Sequence, residues 1–434
     1  MTVSLRADAA LDAYVEYGPA SGGFTGQTPP VVVPAAGTAL VALPGLQPAT
    51  AYRYRVRYRA PGQAAFATDT THGFQTRRGV SDTFTFVVQA DPHLDDNSST
   101  AVYQQALLNE LADQPDFLVD LGDTSMAEKC VIGTSSLCAP PSPPSESAVR
   151  ARTELARRWF ETVGHSLPLF LVLGNHDGES GWVANPSSAS LDAWSLAARK
   201  SLFPNPEPDG FYSGSSEPAA GGGLRQNYYA FEWGGAAFFM LDPYAYTMKK
   251  PGSDGWGWTL GATQYQWFAR ALAASRARYK FVFIHHLLGG NGSETRGGAA
   301  FAGLYEWGGR NLDGSWGFTT QRPGWSAPLE SLMRDANVTA IFHGHDHLYA
   351  REVSGALVYQ EVPQPSLARY DTPDPAAGYG YVGTVGTNIF PSSGHLRVTV
   401  SSSEVRVEYV RAVAPADETA TRRNRAIIDT YTVR

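Results

Sequence analysis

Five apolar runs in this chain each end in a short polar turn, and that recurrence constrains the fold more than any other feature. Phe84 to Gln89 leads into Asp91-Pro92-His93, and Phe117 to Leu121 into Gly122-Asp123. Leu169 to Leu173 leads into Gly174-Asn175-His176-Asp177, and Lys280 to Ile284 into His285-His286. Val338 to Phe342 leads into His343-Gly344-His345-Asp346-His347. Such runs read as buried strands. Helix-like stretches fall between them, at Ala101 to Ala112, Ala148 to Val163, Ala262 to Ala274 and Pro328 to Ala336. Strands alternating with helices predict an α/β architecture. Open α/β sheets bind ligands beyond the carboxyl ends of their strands, so the five turns converge on one site. Imidazoles two residues apart on a tight turn, as at His345 and His347, suit neighbouring metal ions better than an apolar core.

The first 78 residues follow another pattern. Tyr52 to Arg59 alternates aromatic or Val with Arg, the period of a strand with one buried face. Leu46, Pro48 and Thr50 precede Tyr52 in the manner of a tyrosine corner. The arginine face reads as solvated or as a domain contact rather than a polyanion site. Thr76 to Asp82 reads as a linker, which predicts domains at 1–78 and 79–434. Tyr228 to Leu241 predicts a hairpin turning at Gly234-Gly235, and Leu396 to Val400 with Val405 to Tyr409 predicts another. Long loops are expected at Thr124 to Glu146, Ser213 to Gly223 and Leu287 to Trp325.

Composition removes several classes of function. The net charge of -7 over 434 residues argues against a general nucleic-acid binder. No apolar run is long enough to span a bilayer, and the first residues lack the pattern of a signal peptide. Cys130 and Cys138 share one Gly/Ser/Pro-flanked loop; a disulfide there points to an exported protein, secreted or periplasmic, and two free thiols to a cytosolic one.

Asp-x-His, Gly-Asp, Gly-Asn-His-Asp, a histidine after a strand and Gly-His-x-His, in that order, resemble the motif series of the calcineurin-like metallophosphoesterases. The continuation His347-Leu348-Tyr349-Ala350-Arg351 and the N-terminal module are similar to the purple acid phosphatase branch. The resemblance implies a four-layer α/β/β/α sandwich, preceded by a small all-β immunoglobulin/fibronectin-like sandwich. It also implies two divalent metal ions, of Mn, Fe, Zn or similar identity. Asp91, His93, Asp123 and His347 would hold one, and Asp123, Asn175, His285 and His345 the other, with Asp123 bridging. His176 would protonate the leaving oxygen or hold a phosphoryl oxygen, and Asp177 would orient its ring. Asn175, His176 and His286 would contact substrate. His343 would only support the turn.

Two positions depart from the purple branch. His93 stands where that branch carries Gly, and Met126 stands where it places an iron-binding tyrosine. The expected site is therefore colourless. Trp256, Trp258 and Trp307 flank the fourth motif, either walling a pocket or anchoring loops. Tyr349 and Arg351 are expected to brace their turn. The implied reaction is hydrolysis of a small-molecule phosphate ester by in-line attack of a metal-bound hydroxide. Two metals about 3.5–4 Å apart suit monoesters and diesters alike. The rival reading is an adhesion protein whose metal site is vestigial.

Overall fold

The alternation of apolar side chains along the central strands decides the layering. Phe84, Phe86 and Val88 point to one side of their strand and Val87 to the other. Phe281 and Phe283 likewise oppose Val282. Each strand thus buries both faces, so each sheet needs a layer on either side. The computed structural model describes residues 1–132, 145–185, 189–219, 222–252, 254–292, 294–371, 376–381 and 388–434.

The first large sheet runs Leu169–Leu171, Phe117–Asp120, Phe84–Gln89, Gly394–Val400, Val405–Arg411, Ile427–Val433. Its first three strands are parallel, and the rest form an antiparallel flank. The second runs Ser213–Gly214, Tyr229–Trp233, Ala236–Met240, Tyr279–Phe283, Ala340–His343, Leu357–Glu361, Tyr349–Ser354, Asn388–Phe390. The sheets pack face to face over an aromatic core. Phe86 is fully buried there, with its ring 5.4 Å from Phe117 and 5.2 Å from Phe238. Truncating such a side chain to Ala costs about 3–5 kcal/mol. Helices Thr100–Ala112 and Glu146–Gly164 cover the outer face of the first sheet. Helices Gly261–Ala274 and Leu329–Asp335 cover that of the second. The expected α/β/β/α sandwich is the observed one.

Ahead of it lies the all-β region. Strands Thr2–Ala7 and Gly37–Ala42 pair, and a second sheet centres on Leu11–Pro19 and Ala51–Arg59. Val15, Val41, Leu43, Tyr52, Tyr54 and Phe74 form the core between them. The Tyr52 hydroxyl accepts a hydrogen bond from the Gln47 N–H at 2.9 Å, closing the corner expected from its spacing. Three arginines of that face pair within their own sheet. Arg55 and Arg57 meet Glu16, and Arg59 meets Asp12. Contacts to the rest of the chain come from elsewhere, as where the Tyr54 hydroxyl donates to the His165 carbonyl at 2.7 Å.

Three features were not expected. Helix Leu191–Leu202 packs against Glu146–Gly164. Strands Tyr349–Ser354 and Leu357–Glu361 extend the second sheet beyond the fifth motif, and Ile427–Val433 extends the first. The Cys130 side chain and all of Cys138 lie outside the described residues, as does most of the loop they share. Among the described residues, no helix is long and apolar enough to cross a membrane.

Candidate metal centre

The five turns meet at one end of the sandwich, and the backbone of three of them is unusual. Asp91, His93, Asp123, His345 and His347 have φ of 58°, 59°, 55°, 83° and 59°. Non-glycine residues rarely occupy the left-handed region, and Asp and His tolerate it better than most. Each turn reverses direction immediately after a buried strand and so aims its side chain across the strand ends. Two glycines permit the crowding. A Cβ on Gly122, itself at φ +94°, would collide with the backbone of Gly174, and one on Gly344 with the Asp91 carboxylate.

Two trios result, Asp91–His93–His347 and Asp123–His285–His345, each with ligand atoms within 4.8 Å of one another. Both carboxylates are held by one oxygen only. Asp91 Oδ2 accepts from the His345 N–H at 2.7 Å, and Asp123 Oδ1 from the His176 N–H at 2.7 Å. The other oxygens face the imidazoles. Asp91 Oδ1 lies 3.6 Å from His347 Nε2 and 3.7 Å from His285 Nε2. Asp123 Oδ2 lies 3.7 Å from His93 Nε2 and 3.3 Å from His285 Nε2. Asn175 adds its Oδ1 at 3.1 Å from His285 Nε2.

The rings are oriented from behind. His285 turns Nδ1 to the Leu121 carbonyl at 2.8 Å, and His345 turns Nε2 to the Glu294 carbonyl at 2.7 Å. Each thereby presents its other nitrogen to the centre, as metal-bound histidines do. Lys129 holds Asp95 at 2.6 Å, and Asp95 stands 3.5 Å from His93 Nδ1. Asp91 Oδ1, both ring nitrogens of His93 and His345 Nδ1 are buried without hydrogen-bond partners. Proteins seldom leave such atoms orphaned, and Asp91 Oδ1, His93 Nε2 and His345 Nδ1 converge as the oxygen and nitrogen donors of a cation site, while His93 Nδ1 faces Asp95. The residues fit two metal ions.

Electrostatics agree. Burial opposes charge on His285 and His93, yet the neighbouring carboxylates outweigh it and push the rings up to about 10 and about 9. Burial pushes His347, His286 and His343 down to about 3, with help at His347 from His93 and at His286 from His285.

His176 keeps 24% side-chain exposure, whereas His285 has none, so His176 lies at the open side. One expectation fails on geometry. Asp177 does not touch the His176 ring. Its Oδ2 accepts the N–H groups of Asp123 and Gly174, both at 2.9 Å. Its Oδ1 accepts those of Thr124 and Ser125 at 3.1 and 2.9 Å, and the Ser125 hydroxyl at 3.0 Å. Asp177 ties the second turn to the third. The carboxylate on the ring is Glu128, 3.1 Å from His176 Nδ1.

His286 turns Nδ1 to the Leu287 carbonyl at 3.0 Å and leaves Nε2 buried without a partner. Trp258 packs on it, ring centres 4.6 Å apart. Trp307 is an anchor, fully buried and donating to the Tyr359 hydroxyl at 3.2 Å, and Trp256 packs on Tyr305. His343 meets Glu361 at 2.6 Å. Tyr349 braces its turn as expected, donating to Asp429 at 2.6 Å, and Arg351 lies 3.6 Å from the same carboxylate.

Residues 84–349 match the family model described as calcineurin-like phosphoesterase. The chain belongs to that family and is a metal-dependent phosphoesterase with a dinuclear metal centre. Among solved structures it is similar to PhoD, at 15% identity and TM-score 0.66, covering 98% of this chain and 84% of that one. It is also similar to the purple acid phosphatase PPD1 from yellow lupin (Lupinus luteus) seeds, at 15% identity and TM-score 0.62, covering 99% and 71%. Identity this low speaks for the fold alone. No curated protein matches the chain in sequence.

Proposed function

We propose that this chain hydrolyses small-molecule phosphate esters, monoesters or diesters, at the two trios. The observation that carries the reading is Asp123 Oδ2, which faces His93 at 3.7 Å and His285 at 3.3 Å and so is shared between both ligand groups. Asp91, His93 and His347 would hold one cation and His285, His345 and Asn175 the other, with Asp123 between them. Two cations so held supply a nucleophile at neutral pH and offset charge on the phosphoryl oxygens.

The chain's own groups do the rest. His345 N–H and His176 N–H fix one oxygen of each carboxylate, so the other cannot rotate away. Asn175 turns its oxygen towards His285, which leaves its amide N–H groups to donate to a phosphoryl oxygen. Glu128 would accept a hydrogen bond from His176 Nδ1–H, which turns Nε2 towards the leaving oxygen as the atom that delivers a proton to it. His286 is neutral, and its Nδ1–H is engaged with the Leu287 carbonyl. Its Nε2 therefore accepts from a hydroxyl of the leaving group and does not hold an anionic oxygen. Metal-loaded protein assayed with p-nitrophenyl phosphate and bis(p-nitrophenyl) phosphate tests the reading. Turnover of at least one ester supports it; turnover of neither, with two metals bound, overturns it.

Residues 1–78 would form a separate fibronectin-like module and 79–434 the catalytic domain. Limited proteolysis cutting first within 76–82 supports that division, and first cuts elsewhere oppose it. Export belongs to the same reading and rests on pairing of Cys130 with Cys138. Thiol titration of denatured protein, with and without reductant, tests the pairing.

A further inference from the structure

Tyr244 carries a polar atom that the site above leaves unused. Its side chain is buried, and its hydroxyl has no hydrogen-bond partner. It stands against the metal centre, with its ring centre 6.1 Å from His285 and 5.2 Å from His286. A buried hydroxyl without a partner is destabilising, because it has lost its water and gained nothing in return. A chain that only needed the ring there would do better with Phe.

The surroundings hold Tyr244 in place. Strand Ala236–Met240 delivers the chain to Asp242, whose Oδ1 accepts the Tyr244 N–H at 2.8 Å. The Tyr244 carbonyl accepts from the N–H groups of Gly181 and Thr247, both at 3.0 Å. Trp182 and Trp258 meet the ring at 5.9 and 6.1 Å, with ring planes at 84° and 77°. Its backbone is fixed by these bonds, and Trp182 and Trp258, themselves 5.6 Å apart, crowd one side of the ring, so the side chain is oriented before any ligand arrives.

We propose that the Tyr244 hydroxyl is a substrate contact, a hydrogen-bond donor to a phosphoryl oxygen of the ester. The assignment rests on the phosphoester reading above. The phenol keeps its proton throughout. A phenol is protonated at neutral pH, so the hydroxyl is available as a donor. As a neutral donor it adds no charge to the site, unlike an Arg or Lys at the same place.

Tyr244→Phe tests this with four measurements: metal content, thermal midpoint, ester hydrolysis and binding of inorganic phosphate by calorimetry. Two metals retained, a midpoint no lower than wild type, kcat/KM lower by about 10- to 100-fold and phosphate bound about 10-fold more weakly support the proposal. Unchanged kcat/KM and phosphate affinity overturn it. Loss of a metal, or a visible absorption of the iron-loaded wild type that vanishes in the variant, makes Tyr244 a metal ligand and also overturns it. Should wild-type protein hold two metals yet cleave neither ester, the phosphoester reading fails, and the phosphate titration still decides Tyr244 by the same criterion.

Discussion

Glu128 and His176 are linked twice: the Glu128 N–H donates to the His176 carbonyl at 3.0 Å, and the Glu128 carboxylate meets His176 Nδ1 at 3.1 Å. The backbone link sets the register in which the side chains meet. Glu128→Gln keeps the size and removes the negative charge that supports Nδ1–H while Nε2 delivers its proton. We expect kcat to fall about 10-fold or more, with both metals retained and KM little changed. Steady-state kinetics alongside metal analysis check it, and a variant at wild-type kcat contradicts the role given to His176.

Asp177 should behave differently. Asp177→Ala strands four backbone N–H groups and the Ser125 hydroxyl that its carboxylate now accepts. Stability should fall by about 3 kcal/mol or more, and metal affinity with it. The residual activity at saturating metal should keep the wild-type pH profile, because no proton passes through this carboxylate. A displaced profile would restore the direct role expected from sequence.

Metal binding should release protons. In metal-free protein His93 and His285 titrate at about 9 and about 10, above the ordinary 6.5, so both rings are charged at neutral pH. A metal must displace about two protons per chain, and its affinity should rise as pH increases towards those values. Calorimetry in buffers of different ionisation enthalpy counts the protons. The same shifts bear on stability without metal. The contribution of a raised pKa is fully present below 6.5 and lost as pH rises through 9 to 10. Chelated protein should therefore weaken across that window, and metal-loaded protein should not.

Met126 is buried where the purple branch places its tyrosine. Protein loaded with ferric iron should show no tyrosinate charge-transfer absorption in the visible range. A strong visible band would mean that another tyrosine has reached the metal.

The sequence showed the metal centre well because each ligand lies at the end of an apolar run, and both halves of that signal are local. The trios fall where Asp91, Asp123 and His345 lead one to look. Glu128 was hidden because its partner lies 48 residues away and no motif contains it. Tyr244 did carry a signal: Leu241-Asp242-Pro243-Tyr244 follows strand Ala236–Met240 as the five motifs follow theirs. Reading 228–241 as a plain hairpin stopped three residues short of Tyr244. Helix Leu191–Leu202 was missed beside a Pro- and Ser-rich stretch, although Ser190 caps it by accepting from the Ala193 N–H. Strand Ile427–Val433 has a mostly exposed or half-buried face, so alternation along it is weak.

The left-handed turns also limit which mutations this protein can explore. At positions 91, 93, 123, 345 and 347 the backbone itself disfavours β-branched side chains, whether or not a metal is needed. A library randomised at these five positions and sorted for folding alone should already be poor in Val, Ile and Thr and rich in Gly, Asn, Asp and His. The active-site alphabet would then be narrowed by the scaffold before selection for catalysis begins, and most single-step escapes from metal binding would lead to glycine or asparagine.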